Sequence, residues 1–302
     1  MNICYYETSI FHVISNQNEE NKVVYEKLPL NVLLTKKCNA DCRFCVEKTK
    51  EKTKNRLTWS DFAEAINTGI EHDAVSDVLL LGGEPLYFCG ILELIKVLKI
   101  APIITTNAHR LVSDRTFFDE FCNANIKALN ISLPHYDEKK RSKIMGSLLF
   151  SNEEIKKVLR RLSFDVRINT LLVKDYINTL SEIEKMAEFC AEIGASELKV
   201  GELTARNPSI HDFIRDEVTI FNRDHYVEIP VPEFRDECHK NGGTLFWKKI
   251  AGVSVYFNSP PEKALSGGKD ESGKYYHRVL FNDGYWGYSW RRDDGLFLFP
   301  NG

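Results

Sequence analysis

The chain has 302 residues, 43% of them hydrophobic, and 40 Lys and Arg against 43 Asp and Glu, the make-up of a globular protein with room for one sizeable core. A net charge of -3 with no run of one sign argues against a large nucleic-acid surface while leaving room for a small nucleotide. No segment reaches the roughly 18 apolar residues of a membrane span, and the start "MNICYYETSIFHV" lacks the basic and apolar regions of a secretion signal, so the expectation is a cytoplasmic protein with reduced thiols.

Residues 1–29 read as a β-hairpin, with "YYETSIFHVI" and "KVVYEKL" on either side of the polar "SNQNEEN". From residue 30 short apolar runs alternate with amphipathic stretches. The spacing predicts strands at 30–35, 77–83, 102–107, 128–133, 164–172 and 197–203, short and rich in Leu, Ile and Val as strands covered on both faces are. Helices are expected near 59–71, 88–99, 113–123, 152–162 and 178–193, with capping signals such as Ser60-Asp61 and Ser151-Asn152 ahead of Glu153-Glu154. Strands joined by helices imply parallel pairing, in an open doubly wound sheet or a barrel.

After about residue 235 the pattern turns antiparallel. "TLFWKKI" and "VSVYFN" flank Ala251-Gly252, "HRVLF" and "YWGYSW" flank Asn282-Asp283-Gly284, and "LFLFP" follows. Trp286, Tyr288 and Trp290 alternate onto one strand face, read as core packing. The organisation expected is an α/β protein: a hairpin over 1–29, a core over 30–205, and a β-rich region over 206–302 as the candidate substrate lid.

In both parallel architectures chemistry gathers at the carboxyl ends of the strands. The conspicuous residues lie there. Cys38, Cys42 and Cys45 follow strand one, Gly82-Gly83-Glu84-Pro85 strand two, and Thr105-Thr106-Asn107 strand three. The other five of the eight cysteines are scattered and read as small buried side chains. Three clustered thiols are one short of a closed zinc site, which a distant residue such as Cys4 would have to complete. The alternative is an iron–sulfur cube with one iron left open. Gly268 to Lys274 fits a phosphate-loop spacing, but Tyr275 stands where Ser or Thr is required. The sequon at Asn130-Ile131-Ser132 lies inside an expected strand.

The spacing Cys38-x-x-x-Cys42-x-x-Cys45 resembles the cluster loop of the radical S-adenosylmethionine (SAM) enzymes, in which SAM chelates the open iron of a [4Fe–4S] cluster. The resemblance spans roughly residues 30–203. Gly82-Gly83-Glu84-Pro85 is similar to the segment that holds the methionine amino group, and Phe44 to an aromatic packed near adenine. "TTNA" resembles the family's "TTNG", with Ala108 in place of the glycine, which makes Thr106 and Asn107 candidate SAM contacts. Ser132 and Arg167 resemble positions that address the SAM ribose and carboxylate, and the backbone of Lys199 and Val200 would meet adenine.

What the resemblance implies is a partial (β/α)6 TIM-like barrel and an oxygen-sensitive enzyme. Reductive cleavage of SAM, with electrons from a flavodoxin- or ferredoxin-type donor, gives a 5′-deoxyadenosyl radical that takes a hydrogen atom from the substrate. Residues 132–146 resemble the molybdenum-cofactor cyclase branch, whose second cluster and glycine-rich tail are missing here. By elimination the expected substrate is a small polar metabolite such as a nucleoside, nucleotide or sugar derivative, with a peptide as the alternative and a zinc scaffold as the remote one. His135, Asp137 and Asn169 are candidate substrate contacts, Tyr136 a candidate hydrogen donor and Glu202 a candidate base.

Overall fold

The computed structural model describes residues 27–49, 57–203, 217–229, 239–241, 244–258, 275, 277–288, 290 and 296–297. The hairpin expected over 1–29, Cys4, Cys238 and the loop 259–274 lie outside these residues, apart from Lys27, Leu28 and Pro29.

The six expected strands are β1 (Leu28–Leu33), β2 (Val75–Leu81), β3 (Ile103–Thr106), β4 (Ala128–Ser132), β5 (Asp165–Leu172) and β6 (Glu197–Glu202). Between them run α1 (Trp59–Glu71), α2 (Ile91–Val97), α3 (His109–Ser113), α4 (Arg115–Phe121), α5 (Glu138–Met145), α6 (Asn152–Leu159) and α7 (Leu180–Ile193), and α8 (Glu217–Asp224) follows β6. Strands β7 (His239–Asn241), β8 (Thr244–Ile250), β9 (Val253–Asn258), β10 (Arg278–Leu280), β11 (Tyr285–Gly287) and β12 (Leu296–Phe297) complete the described elements.

Local chemistry explains where the helices depart from expectation. The cap of α1 is Thr58, not Ser60: its hydroxyl accepts from Asp61 N, while Asp61 Oδ2 accepts from Thr58 N at 2.7 Å. The single helix expected over 113–123 is two, because Asp114 has an extended backbone and caps α4 by accepting from Phe117 N at 3.0 Å. Helix α2 cannot start at residue 88, since Gly90 ahead of it holds φ 82. Helices α5 and α8 were not expected. The sequence of α5, EKKRSKIM, is too polar to show an apolar stripe.

All strands join one sheet in the order β12-β11-β10-β1-β2-β3-β4-β5-β6-β9-β8-β7. The antiparallel hairpins β8–β9 and β10–β11 form as expected and extend the main sheet at both ends. Strand β9 pairs in parallel with β6, Leu198 opposite Val255, and β10 in parallel with β1, Leu30 opposite Arg278. Without these partners the outer edges of β1 and β6 would present unpaired amides, and Val255, Phe257 and Leu280 carry the core of the sheet outward onto the added strands. The terminal strands β12 and β7 are not paired with each other, so the barrel stays open. The stripe expected from Trp286 to Trp290 does not form, because β11 ends at Gly287. Tyr288 instead stacks on Tyr275 at 4.1 Å and meets Arg278.

One face of the sheet is covered by helices. Leu30, Val32, Val78, Leu80, Ile104, Leu129, Ile131, Val166, Ile168, Leu198 and Val200 are buried there against the helices' apolar sides. Because strand side chains alternate, the intervening residues point to the opposite face, helix-free among the described residues except at its carboxyl end, where Leu171 meets the cluster of α5 and α8. Of the scattered cysteines, Cys190 is buried in the core as expected, but Cys89 is exposed beside the turn into α2.

The link from β4 to α6 is closed by Arg141, 2% exposed. Its guanidinium donates to Phe150 O at 2.8 Å, Asn152 Oδ1 at 2.8 Å and His135 O at 3.3 Å. His135 is fully buried between the rings of Tyr136 and Tyr176, and its Nδ1 accepts from Asp137 N at 2.9 Å. Burial, then the Lys140 charge, lowers its pKa from 6.5 to about 4, against the opposing charges of Asp137 and Glu182.

Two outcomes follow from this knot. Arg141→Leu leaves three buried acceptors without their donor and should cost about 2–4 kcal/mol in urea unfolding. His135 binds its proton more readily unfolded than folded, so its contribution is complete above pH 6.5 and is lost as pH falls to about 4. Unfolding curves of the wild type and His135→Gln across that interval should converge toward the acid end.

Candidate active site

The residues after β1 form a loop without regular structure through Cys38, Cys42 and Cys45, ending in a 3-10 turn at Val46–Thr49. Such a loop takes its shape from what holds it. On one side the turn after β2 presses against it: Gly83 N donates to Thr35 O at 2.6 Å and Glu84 N to Lys37 O at 2.8 Å. Glycine is required there. A Cβ at Gly82, where φ is +153, would lie 2.4 Å from Thr35 O, and one at Gly83 would lie 2.4 Å from Lys37 O.

On a second side the loop pairs with the end of α5, Asp41 N to Met145 O at 2.9 Å and Arg43 N to Ile144 O at 3.0 Å. Helix α8 covers a third. Asn222 Nδ2 donates to Phe44 O at 3.3 Å, Phe221 packs in one cluster with Cys42 and Phe44, and the Arg43 guanidinium lies 4.9 Å over the Phe221 ring. Phe221 and Asn222 were not anticipated, since a Phe-Asn pair in a short helix carries no distinguishing signal in the chain.

All three thiols are free, Cys38 exposed and the other two half-buried. Burial, then the neighbouring charges of Cys45 and Cys38, push the Cys42 thiol up to about 12, and burial raises Cys38 as well. Thiolates crowded in this way need a cation to offset them. Among the described residues no three His, Cys, Asp or Glu side chains are grouped to hold one metal ion. Three thiols on one loop are the donors that an iron–sulfur cube takes, one thiolate to each of three irons.

Glu84, 1% exposed, ties β2 to β3. Its Oε1 accepts from Thr106 Oγ1 at 2.6 Å and Leu86 N at 3.0 Å, and its Oε2 from Asn107 N at 2.7 Å. Burial raises its pKa to about 6 in spite of these donors. Ala108, standing where the family has glycine, is itself left-handed at φ 61.

The helix-free face is polar beneath β3 to β9. Registered across it are Thr105, Asn130, Arg167, Glu197 and Ser254, and one step nearer the carboxyl ends Ser132, Asn169, Lys199 and Tyr256. Arg167 Nε and Asn169 Oδ1 are buried without a hydrogen-bond partner. Burial, then the Arg167 charge, lowers Lys199 to about 8. Tyr256 was missed because a single Tyr in a tail strand looks like packing.

Other candidates lie elsewhere. The Val200 side chain is in the helix-side core, and Tyr136 packs against that same core and lines a shallow groove with Glu138, Lys139 and Asn152. Asp137 caps α5 by accepting from Lys140 N at 2.8 Å. Glu202 accepts from Ile229 N at 2.8 Å.

Gly83→Ala should shift the 35–37 backbone and lower the iron retained after anaerobic reconstitution several-fold, with the helical circular dichroism preserved.

Comparison with known proteins bears on the family and the fold. A probable GTP 3',8-cyclase of Methanococcus maripaludis is 25% identical over 280 residues, covering 87% of this chain and 85% of the relative. A GTP 3',8-cyclase of Chlorobaculum tepidum is 28% identical, covering 54% of this chain and 50% of its own. The chain thus spans about half the length of some of the curated relatives it matches. Streptococcus suis SuiB, solved bound to S-adenosylmethionine, superposes with a TM-score of 0.62 at 18% identity, over 89% of this chain and 61% of that one. The same protein bound to its precursor peptide SuiA gives 0.57. At these identities the likeness is one of fold. Among the described residues no helix is long and apolar enough to cross a membrane. The family model of the radical SAM superfamily matches residues 32–200, more than half of the chain, and the chain therefore belongs to that superfamily of enzymes, which work with a [4Fe–4S] cluster and S-adenosylmethionine.

Proposed function

We propose that this radical SAM enzyme acts in the cytoplasm on a small metabolite bearing an anionic group, of the nucleotide class. The observation that carries the reading is the polar sheet face, where the Lys199 ammonium stands opposite Asn169, whose Oδ1 is buried without a hydrogen-bond partner, beyond an equally unpaired Arg167 Nε that serves SAM. Buried polar atoms are ordinarily paired, so Arg167 Nε–H marks the place of a ligand acceptor, Asn169 Oδ1 that of a ligand donor, and the Lys199 ammonium one strand over that of a negative charge. The naming of several relatives as GTP 3',8-cyclases supports the same class.

In this reading Cys38, Cys42 and Cys45 hold the cluster. The turn at Gly82 and Gly83, with Glu84, lies along the methionine amino group. Ser132 and Arg167 take the ribose and carboxylate of SAM, and the backbone of Lys199 and Val200 meets adenine. The Lys199 ammonium and Asn169 are then directed to the substrate. Bound together, the cluster and SAM supply a one-electron cleavage and a radical able to remove a hydrogen atom, with reduction by a flavodoxin- or ferredoxin-type protein. The chain's part is to orient the substrate and exclude water, to which the α8 cover contributes. Tyr136 and Glu202 receive no role, since one packs toward the helices and the other is engaged by Ile229.

The test is SAM turnover by the reconstituted enzyme with dithionite, followed as 5′-deoxyadenosine. A phosphate-bearing nucleotide should accelerate it at least about tenfold, and Cys42→Ala should abolish it. Lys199→Ala should raise the nucleotide KM about tenfold with little loss of unstimulated cleavage, as for a lost charge-assisted contact. Wild-type affinity should decline as pH rises through about 8, where Lys199 loses its proton, and the variant should not show that decline. If nucleotides and sugar phosphates leave turnover unchanged while a short peptide accelerates it, the reading is wrong and the enzyme modifies peptides.

A further inference from the structure

Asn107 looked, from its place in "TTNA", like a contact to SAM. Its side chain is already committed. It is 6% exposed, and its Oδ1 accepts from His109 N at 3.0 Å. That bond fixes which way the amide faces. The Nδ2 group therefore points at the cysteine loop, donating to Asn39 Oδ1 at 2.8 Å and to Cys38 Sγ at 3.8 Å. Flipping the amide would set its oxygen against both the Asn39 oxygen and the sulfur.

The position of that donor is itself determined from below. Asn107 N is bound by Glu84 Oε2 at 2.7 Å, and Thr106, on the other Glu84 oxygen, receives Ala108 N at 2.9 Å. The rigid unit Glu84–Thr106–Asn107 thus delivers one N–H to the sulfur of Cys38, which also accepts from Ala40 N at 3.4 Å.

We infer that Asn107 is a positioning residue for the cluster, setting its reduction potential through an N–H···S bond to the Cys38 thiolate, rather than a ligand of SAM. This rests on the reading that Cys38, Cys42 and Cys45 hold the cluster. Hydrogen bonds to ligating sulfurs are among the determinants of iron–sulfur potentials. A donor stabilises the more negative, reduced cluster more than the oxidised one, so removing it makes the cluster harder to reduce.

The experiment is a reductive titration followed by electron paramagnetic resonance on reconstituted wild type, Asn107→Ala and Asn107→Asp, with iron and sulfide analysis and SAM binding on the same samples. Asn107→Asp keeps the size and the acceptor for His109 N, and puts an oxygen where the donor was. Expected is a full complement of roughly four irons in each, and SAM affinity within twofold of wild type. About tenfold less reduced cluster at a fixed applied potential is expected in Asn107→Ala, which is about 59 mV for a one-electron couple, with a larger shift in Asn107→Asp. An unchanged potential in iron-replete variants overturns the inference, as does an intact potential with weakened SAM binding, which would make Asn107 a SAM contact. If neither variant retains iron, Asn107 serves to hold the loop and the inference also fails. A wild type that assembles no cluster would instead remove the premise.

Discussion

The approach of Gly83 to the Lys37 carbonyl, too close for any side chain, is the constraint on which the rest of the site depends. The loop carrying Cys38, Cys42 and Cys45 has no helix or strand of its own, and burial makes the Cys38 and Cys42 thiols resist ionisation. Its geometry is therefore borrowed. The β2 turn supplies one boundary, the carbonyls at the end of α5 a second, and Asn222 of α8 a third. Each boundary comes from a different part of the chain, and parallel pairing brings them together by placing every strand's carboxyl end along one edge.

The two faces of the sheet divide the labour. Toward the helices, Leu, Ile, Val and Phe side chains make one continuous core. The other face is itself divided: Leu33, Leu81, Val279, Phe281 and Tyr285 form an apolar patch beneath β10, β1 and β2, while amides, hydroxyls, two cations and the Glu197 carboxylate occupy β3 to β9.

The six strands of the core could be read from the chain because each is a short apolar run between turn signals, and the cysteines because their spacing is unusual. Pairing partners could not be read. Val255 and Leu280 lie in runs that look like ordinary hairpin strands, and nothing local tells β9 to seek β6 or β10 to seek β1. Helix α5 escaped because its charged residues hide a short buried side at Ile144 and Met145. Candidate residues fared according to alternation: Ser132, Arg167, Asn169 and Lys199 share the helix-free face, whereas His135 and Tyr136, just past the end of β4, turn inward to the core beside the helices. A motif gives residue type and order, but which atom of Asn107 faces which neighbour depends on Glu84 and His109, and that is a property of the assembled turn.

The parallel seating of β10 beside β1 bears on how the molecule assembles. Leu30 finds its neighbour Arg278 almost at the opposite end of the chain, and β6 likewise waits for β9. During synthesis the six-stranded core emerges with both margins bare, and pairing across such sequence separations is slow. Until the last strands are made, β1, from which the cysteine loop departs, is an open edge able to recruit other chains. Settling of the cysteine loop only after β10 has been made is the order that this connectivity favours.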